Sequence, residues 1–148
     1  MGSTAFRRLN ESDLESANSL ANSVVQEHYG HLIGGAAYKI NRVWALEAGL
    51  VALVDDVIVG VGIADQDSVN DLWLLPDYRG QGIGSALLAA LETQVFQSGF
   101  HQAKLRAVAE NQAARKFYLN QGWQELPTYS HETWGFLMVD FVKELGSG

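Results

Sequence analysis

Apolar residues recur along this chain with two periods, and the change from one to the other outlines the domain. Leu14, Ala17, Leu20, Ala21, Val24 and Val25 fall three and four apart, the spacing of one stripe on a helix. Asn10 or Ser12 supplies its cap, Glu11, Asp13 and Glu15 put negative charge at its start, and Gly30 offers a stop. Before it, "TAFRRLN" reads as a short strand. After it, "HLIGGAAYKINRVWALEA" holds a glycine pair and a second, weaker helical pattern. The period then shortens. "LVALVDDVIVGVGIA" is two β-branched runs around Asp55-Asp56, a hairpin, and "VNDLWLL" is a strand halted by Pro76. Ile83, Leu87, Leu91 and Val95, widened by Leu88 and Phe96, form a helix ending near Gly99. "QAKLRAVA" is a strand, "NQAARKFYLNQG" a short helix from Asn111 to Gly122, and "TWGFLMVDFVKEL" a last long strand. The order β-α-(α)-β-β-β-α-β-α-β-β predicts a single α/β domain over residues 4–145, with a central mixed β-sheet and helices on both faces. Met1-Gly2-Ser3 and Gly146-Ser147-Gly148 read as cloning additions. The last strand suits either an internal position or pairing across a homodimer.

Composition narrows the chemistry. The 148 residues include no cysteine, which excludes disulfides, thiolate metal sites and a cysteine nucleophile. Four scattered histidines without ligand spacing give no metal site. The formal charge of −7 argues against a nucleic-acid partner and tilts weakly toward a cationic one. No apolar run approaches the roughly 20 residues of a membrane span, and the first ten residues lack a signal-peptide core, so the expected setting is cytoplasmic, with no membrane partner.

One stretch stands out: "LWLLPDYRGQGIGSALLAALE" from Leu72 to Glu92. A hydrophobic strand ends at proline, and an arginine and three glycines lead directly into a helix. Helix starts present unpaired N–H groups, and glycines before them leave room for an anion. A bare strand-to-helix turn is the simpler reading. A P-loop fails because Gly84-Ser85 has no lysine, and a dinucleotide fingerprint fails because Ser85 stands at its third glycine.

Arg79-Gly80-Gln81-Gly82-Ile83-Gly84 resembles the pyrophosphate loop of the GNAT-type N-acetyltransferases, Gln/Arg-x-x-Gly-x-Gly/Ala. A second block, "AENQAARKFYLNQGW", is similar to the family's Asn-x-x-Ala-x-x-Phe-Tyr-x-x-x-Gly-Phe pattern, with Trp123 in place of phenylalanine. The resemblance covers Val69 to Trp123. It implies a GNAT-like fold, acetyl-coenzyme A as co-substrate, and transfer of the acetyl group to a primary amine of a small molecule or a protein by direct attack in a ternary complex. It further implies main-chain contacts to the cofactor arm from Trp73 and Leu74, and pyrophosphate contacts from the N–H groups of Gly80, Gln81, Gly82, Ile83, Gly84 and Ser85. Arg79 is either a phosphate contact or a solvated arginine. Asn111 is a helix cap, an arm contact or both. Tyr118 is the implied proton donor to the departing thiolate; as a bare sequence feature it is a core aromatic.

For the base the candidate is Asp71, with Asp65 and Asp67 as rivals. Relatives that carry a glutamate on the strand before the Asn block have Arg106 or its neighbours as counterparts here. His28 and His31 can line an acceptor pocket, His101 and His131 carry no signal, and Tyr29, Trp44, Tyr129 and Trp134 suit either that pocket or the core. Arg115 and Lys116 can reach the adenosine phosphate or simply face solvent. A non-catalytic acetyl-coenzyme A sensor is the alternative on the same fold.

Overall fold

The computed structural model describes residues 3–40 and 42–146, and among these the side chains of all but 42, 44 and 45. Its elements are β1 (Thr4–Arg8), α1 (Leu14–Ile33), α2 (Arg42–Ala48), β2 (Gly49–Val54), β3 (Val57–Asp65), β4 (Ser68–Leu74) and α3 (Ile83–Gln97). There follow β5 (Gln102–Val108), α4 (Gln112–Asn120), β6 (Gln124–Glu125), β7 (Tyr129–Ser130) and β8 (Leu137–Glu144). The sheet runs β1-β2-β3-β4-β5-β8-β6, with β7 also on β8. Among the described residues only β4 and β5 pair in parallel.

Helices cover the two faces. Ala17, Leu20, Ala21 and Val24 of α1 pack on Val51, Leu53, Val61 and Ile63. On the other face Leu88, Leu91 and Val95 of α3 pack on Ala103, Leu105, Ala107, Val139 and Phe141. A side chain at Gly62 would put its Cβ 2.6 Å from Leu91 Cδ1, so glycine there lets α3 approach β3. Strand alternation then sends Lys104 and Arg106 of β5 and Asp140 of β8 to the α1 face. The contacts of α1 reach β3 and β4, and the β5–β8 half of that face lines a cleft.

The hairpin falls where expected, with Asp55 and Asp56 both left-handed (φ 51° and 66°), as a two-residue hairpin turn requires. Other expectations are corrected. The first helix runs through Gly30 and stops at Gly34, whose φ of 64° is left-handed. Phe96 is not in the core stripe but 40% exposed, edge-on to the ring of His101. The last strand begins at Leu137, because residues 132–134 form a turn in which His131 Nδ1 accepts the N–H groups of Thr133 and Trp134. β8 is internal, flanked by β5 on one side and by β6 and β7 on the other.

Candidate active site

β4 and β5 touch at one bridge, Ser68 opposite Lys104, with Lys104 N–H donating to Asp67 O at 2.8 Å. Beyond it they diverge, and a cleft of about 1230 Å³ opens between them. A bulge in β4 sets which groups face it. Ala64 pairs with Val69 but Ile63 with Asp71, so Asn70 is the extra residue. Leu75 N–H donates to Val59 O at 2.9 Å. Antiparallel hydrogen-bonded pairs alternate, so Trp73 spends its main chain on Val61. The open edge belongs to Leu72 and Leu74. This corrects the expected main-chain contact from Trp73, which offers its side chain to the cleft instead. At Leu74 the carbonyl already accepts Arg79 Nη2 at 3.1 Å, leaving its N–H.

At one end of the cleft stands the start of α3. Gly80 and Gly82 have φ of 75° and 84°, and nothing lies within 4 Å of a Cβ built on either. Torsion, not crowding, demands glycine here. The first bond of the helix is Ala86 N–H to Gly82 O at 3.1 Å; the N–H groups of Ile83, Gly84 and Ser85 precede it and have no intrahelical acceptor. Arg79 is exposed, and its Nη2 also meets Glu27 Oε1 at 3.2 Å. Gln81 donates to Asp77 O and Ser85 Oγ accepts Gln121 Nε2. Gln81 and the buried side chain of Ile83 lie outside the cleft lining, which does include Gly80, Gly82, Gly84 and Ser85.

The wall on the α1 face carries Asp71, only 4% exposed. Tyr38 Oη donates to its Oδ1, and Trp73 Nε1 donates to the same oxygen at 3.0 Å. Burial pushes its pKa from the ordinary 3.8 up to about 6, against the opposing pull of the Trp73 hydrogen bond. Sequence reasoning missed Tyr38. It belongs to the aperiodic segment after Gly34, which three amides of α1 hold in place. Asn18 Oδ1 accepts Ile40 N–H at 2.6 Å, Asn22 Oδ1 accepts Tyr38 N–H at 2.8 Å, and Gln26 Nε2 donates to Ala36 O at 2.8 Å. The only signal was their i, i+4, i+8 spacing on one helix face.

On the opposite wall Asn111 uses both ends of its amide. Oδ1 accepts Ala114 N–H at 3.1 Å, capping α4, and Nδ2 donates to Tyr29 Oη at 2.6 Å. Tyr118 lines the same cleft, its ring against Phe117 and Phe141 at 5.4 Å each. Burial, then the neighbouring Tyr29 phenol, push its pKa up. Among the described residues its hydroxyl has no hydrogen-bond partner.

Asp65 and Asp67 stay outside the lining, and Asp67 faces Lys104 at 3.7 Å. His28 lines the cleft; His31 does not, bonding Glu110 at 2.6 Å. Tyr29, Tyr129, His131 and Trp134 line it as well. The side chain of Trp44 lies outside the described residues. Arg115 bonds Glu125 and Ala109 O, and Lys116 is exposed outside the cleft lining.

A mixed sheet parted between its two parallel strands, with a glycine-lined helix start at the mouth, has the build of an acetyltransferase fold. The match to known proteins gives the family: residues 4–123 fit the acetyltransferase (GNAT) family model, and the chain belongs to that family. Among solved structures it is similar to Ard1 from Thermoplasma volcanium, at 19% identity and a TM-score of 0.78, covering 97% of this chain and 99% of that one. It is also similar to yncA, a putative acetyltransferase from Salmonella typhimurium solved with acetyl-CoA, at 15% identity and a TM-score of 0.76, covering 98% and 95%. These likenesses establish the fold. Two curated relatives match over 57 residues, 38% of this chain. The aminoalkylphosphonate N-acetyltransferase of Salmonella typhimurium is 37% identical and the uncharacterized N-acetyltransferase YycN of Bacillus subtilis 39%. The matches span 37% and 36% of those proteins' lengths.

Proposed function

We propose that the chain transfers an acetyl group from acetyl-coenzyme A to an amine. One observation carries the reading: a single cleft joins an anion-ready helix start, an open strand edge and a buried carboxylate. The residues fit the cofactor, because Gly80 and Gly82 leave the N–H groups of Ile83, Gly84 and Ser85 uncovered at a helix N-terminus, where a diphosphate is favoured. The free N–H groups of Leu72 and Leu74 are the donors for its arm. When bound, acetyl-coenzyme A supplies the acetyl group as a thioester.

The remaining work falls to side chains. An alkylamine of pKa about 10 is protonated at neutral pH. Asp71, ionised above a pKa of about 6, holds that ammonium and receives its proton. Complete transfer before attack is uphill by about 5 kcal/mol, so the proton moves as the nitrogen forms its new bond and becomes more acidic. Tyr118, its pKa raised by burial, keeps its proton at any physiological pH and acts as a hydrogen-bond donor in the cleft. With no cysteine in the chain, attack by the amine is direct. The partner is a small-molecule or protein amine in the cytoplasm.

Calorimetric titration with acetyl-coenzyme A, with ATP and NADH as controls, tests the cofactor, and thiol release with amines tests the reaction. Micromolar binding of acetyl-coenzyme A alone, followed by amine-dependent thiol release, is the expected result. Equal binding of ATP, or none of either, sinks it. Binding without thiol release for any amine makes the protein a sensor.

A further inference from the structure

Resting on the acetyl-transfer reading, we infer that the acceptor carries an anionic group beside its amine, and that Arg106 receives that anion. The chain as a whole holds 17 acidic residues against 10 lysines and arginines, which points to a cationic partner. The cleft reverses this balance. Its charged lining is Lys39, Arg79, Lys104 and Arg106 against Asp71 and Asp140 alone.

These charges have a definite order. Leu72, Leu105, Val139 and Phe141 pack toward α3, so Asp71, Arg106 and Asp140 share the opposite face. On neighbouring strands β4, β5 and β8 the floor therefore reads negative, positive, negative. Asp140 stands directly across from Arg106 in register and accepts Tyr129 Oη at 2.6 Å. It is occupied from within the fold. Arg79 stands at the mouth, its Nη2 on Glu27 and Leu74 O, and Lys104 lies where the strands still meet, 3.7 Å from Asp67. Arg106 stands on the open floor between them, beside the Tyr129 hydroxyl, which bridges it to Asp140. Its Nη1 alone meets both oxygens of Glu132, at 3.2 and 3.1 Å, and Glu132 sits 62% exposed on the turn before β8.

An exposed ion pair of this kind is weak and exchangeable. The guanidinium keeps further fork donors suited to a planar or tetrahedral anion. Lys39, exposed on the cleft lining with no hydrogen bond or ion pair among the described residues, adds a second positive charge. An ammonium against Asp71 and an anion against Arg106 describe a zwitterion, such as an amino acid or an aminophosphonate. A polyamine would bring its second cation against Arg106.

The test is thiol release at saturating acetyl-coenzyme A with matched acceptors: phenylalanine against phenylalanine amide, 3-aminopropylphosphonate against propylamine, and spermidine. The expected result is at least a tenfold preference in kcat/KM for the anionic member of one pair. Arg106→Gln then raises the KM of that acceptor about 10- to 100-fold, with the neutral twin and the KM for acetyl-coenzyme A unchanged. Glu132→Gln lowers the same acceptor KM by freeing the guanidinium, and keeps the test decisive where Arg106→Gln folds poorly. Preference for the neutral twins or for spermidine overturns the inference, as does a preference that survives Arg106→Gln. Acetyl-coenzyme A binding with no thiol release from any acceptor defeats the acetyl-transfer reading itself.

Discussion

Asp71→Asn is expected to make the protein more stable and less active. The carboxyl is 4% exposed and its pKa stands at about 6, against 3.8 for an ordinary aspartate. That difference of about 2 pH units is worth about 3 kcal/mol. The sign follows from proton binding. Between pH 3.8 and 6 the folded protein holds a proton that the unfolded chain has released, so folding is favoured at low pH. The advantage disappears as pH rises through 6, and above it the folded state carries the whole cost of a buried carboxylate. Asparagine has the same shape and is neutral, and its carbonyl oxygen can accept from Tyr38 and Trp73 as Oδ1 does.

The variant should therefore gain up to about 3 kcal/mol at pH 8, or about 6 to 12 °C in Tm for a domain of this size. At pH 4, where the native carboxyl is itself mostly protonated, the gain should nearly vanish. Urea unfolding of both proteins at the two pH values measures it, and every other titrating group cancels in the difference. Amine-dependent thiol release should fall at the same time, the usual exchange between stability and a strained site. An asparagine variant no more stable than the native protein at pH 8, or a gain that persists undiminished at pH 4, would refute the reasoning.

Other expectations follow from the same wall and mouth. Tyr38→Phe removes one donor from the Asp71 carboxylate, a hydrogen bond to charge worth about 1.5–3 kcal/mol; the acid limb of kcat/KM should move up by about 1 to 2 pH units, and an unmoved limb rules out the contact. Gly82→Ala forces a side chain into φ 84°, so stability should drop by about 1 kcal/mol and acetyl-coenzyme A should bind more weakly, read by thermal melts and calorimetry. Tyr118→Phe should slow turnover about 10- to 1000-fold while the dissociation constant for acetyl-coenzyme A holds; lost binding with normal turnover contradicts the assignment.

The mouth of the cleft was legible in the sequence because its requirement is torsional. Gly80 and Gly82 sit at positive φ, and glycine before a helical pattern announces that directly. Asn111 was legible as a cap; its second bond, to Tyr29, was not, because nothing local links residues 82 apart in sequence. Tyr38 was not, because an aperiodic segment gives no period to read, and the amides that fix it look like the solvated side of a helix. Nor could the sum of charges reveal the cleft. Seventeen acidic residues set the field far from the protein, whereas the order of Asp71, Arg106 and Asp140 across three strands sets it near a ligand.

The bulge at Asn70 is where pattern reading and structure part most usefully. Val69 and Asp71 stand two apart, and strict alternation would point both toward α3. Residues paired across strands share a face. Val69 pairs with Ala64, in the α3 core, whereas Asp71 pairs with Ile63, in the α1 core. One inserted residue has reversed the parity of β4. That reversal turns Asp71 away from the α3 core and puts it on the face that carries Arg106. It also gives the open edge of β4 the N–H groups of Leu72 and Leu74 rather than that of Trp73. A carboxylate on one side of the strand and free donors along its edge therefore have a common origin, and deleting Asn70 should abolish both together while leaving the pairing of β3 with β2 intact.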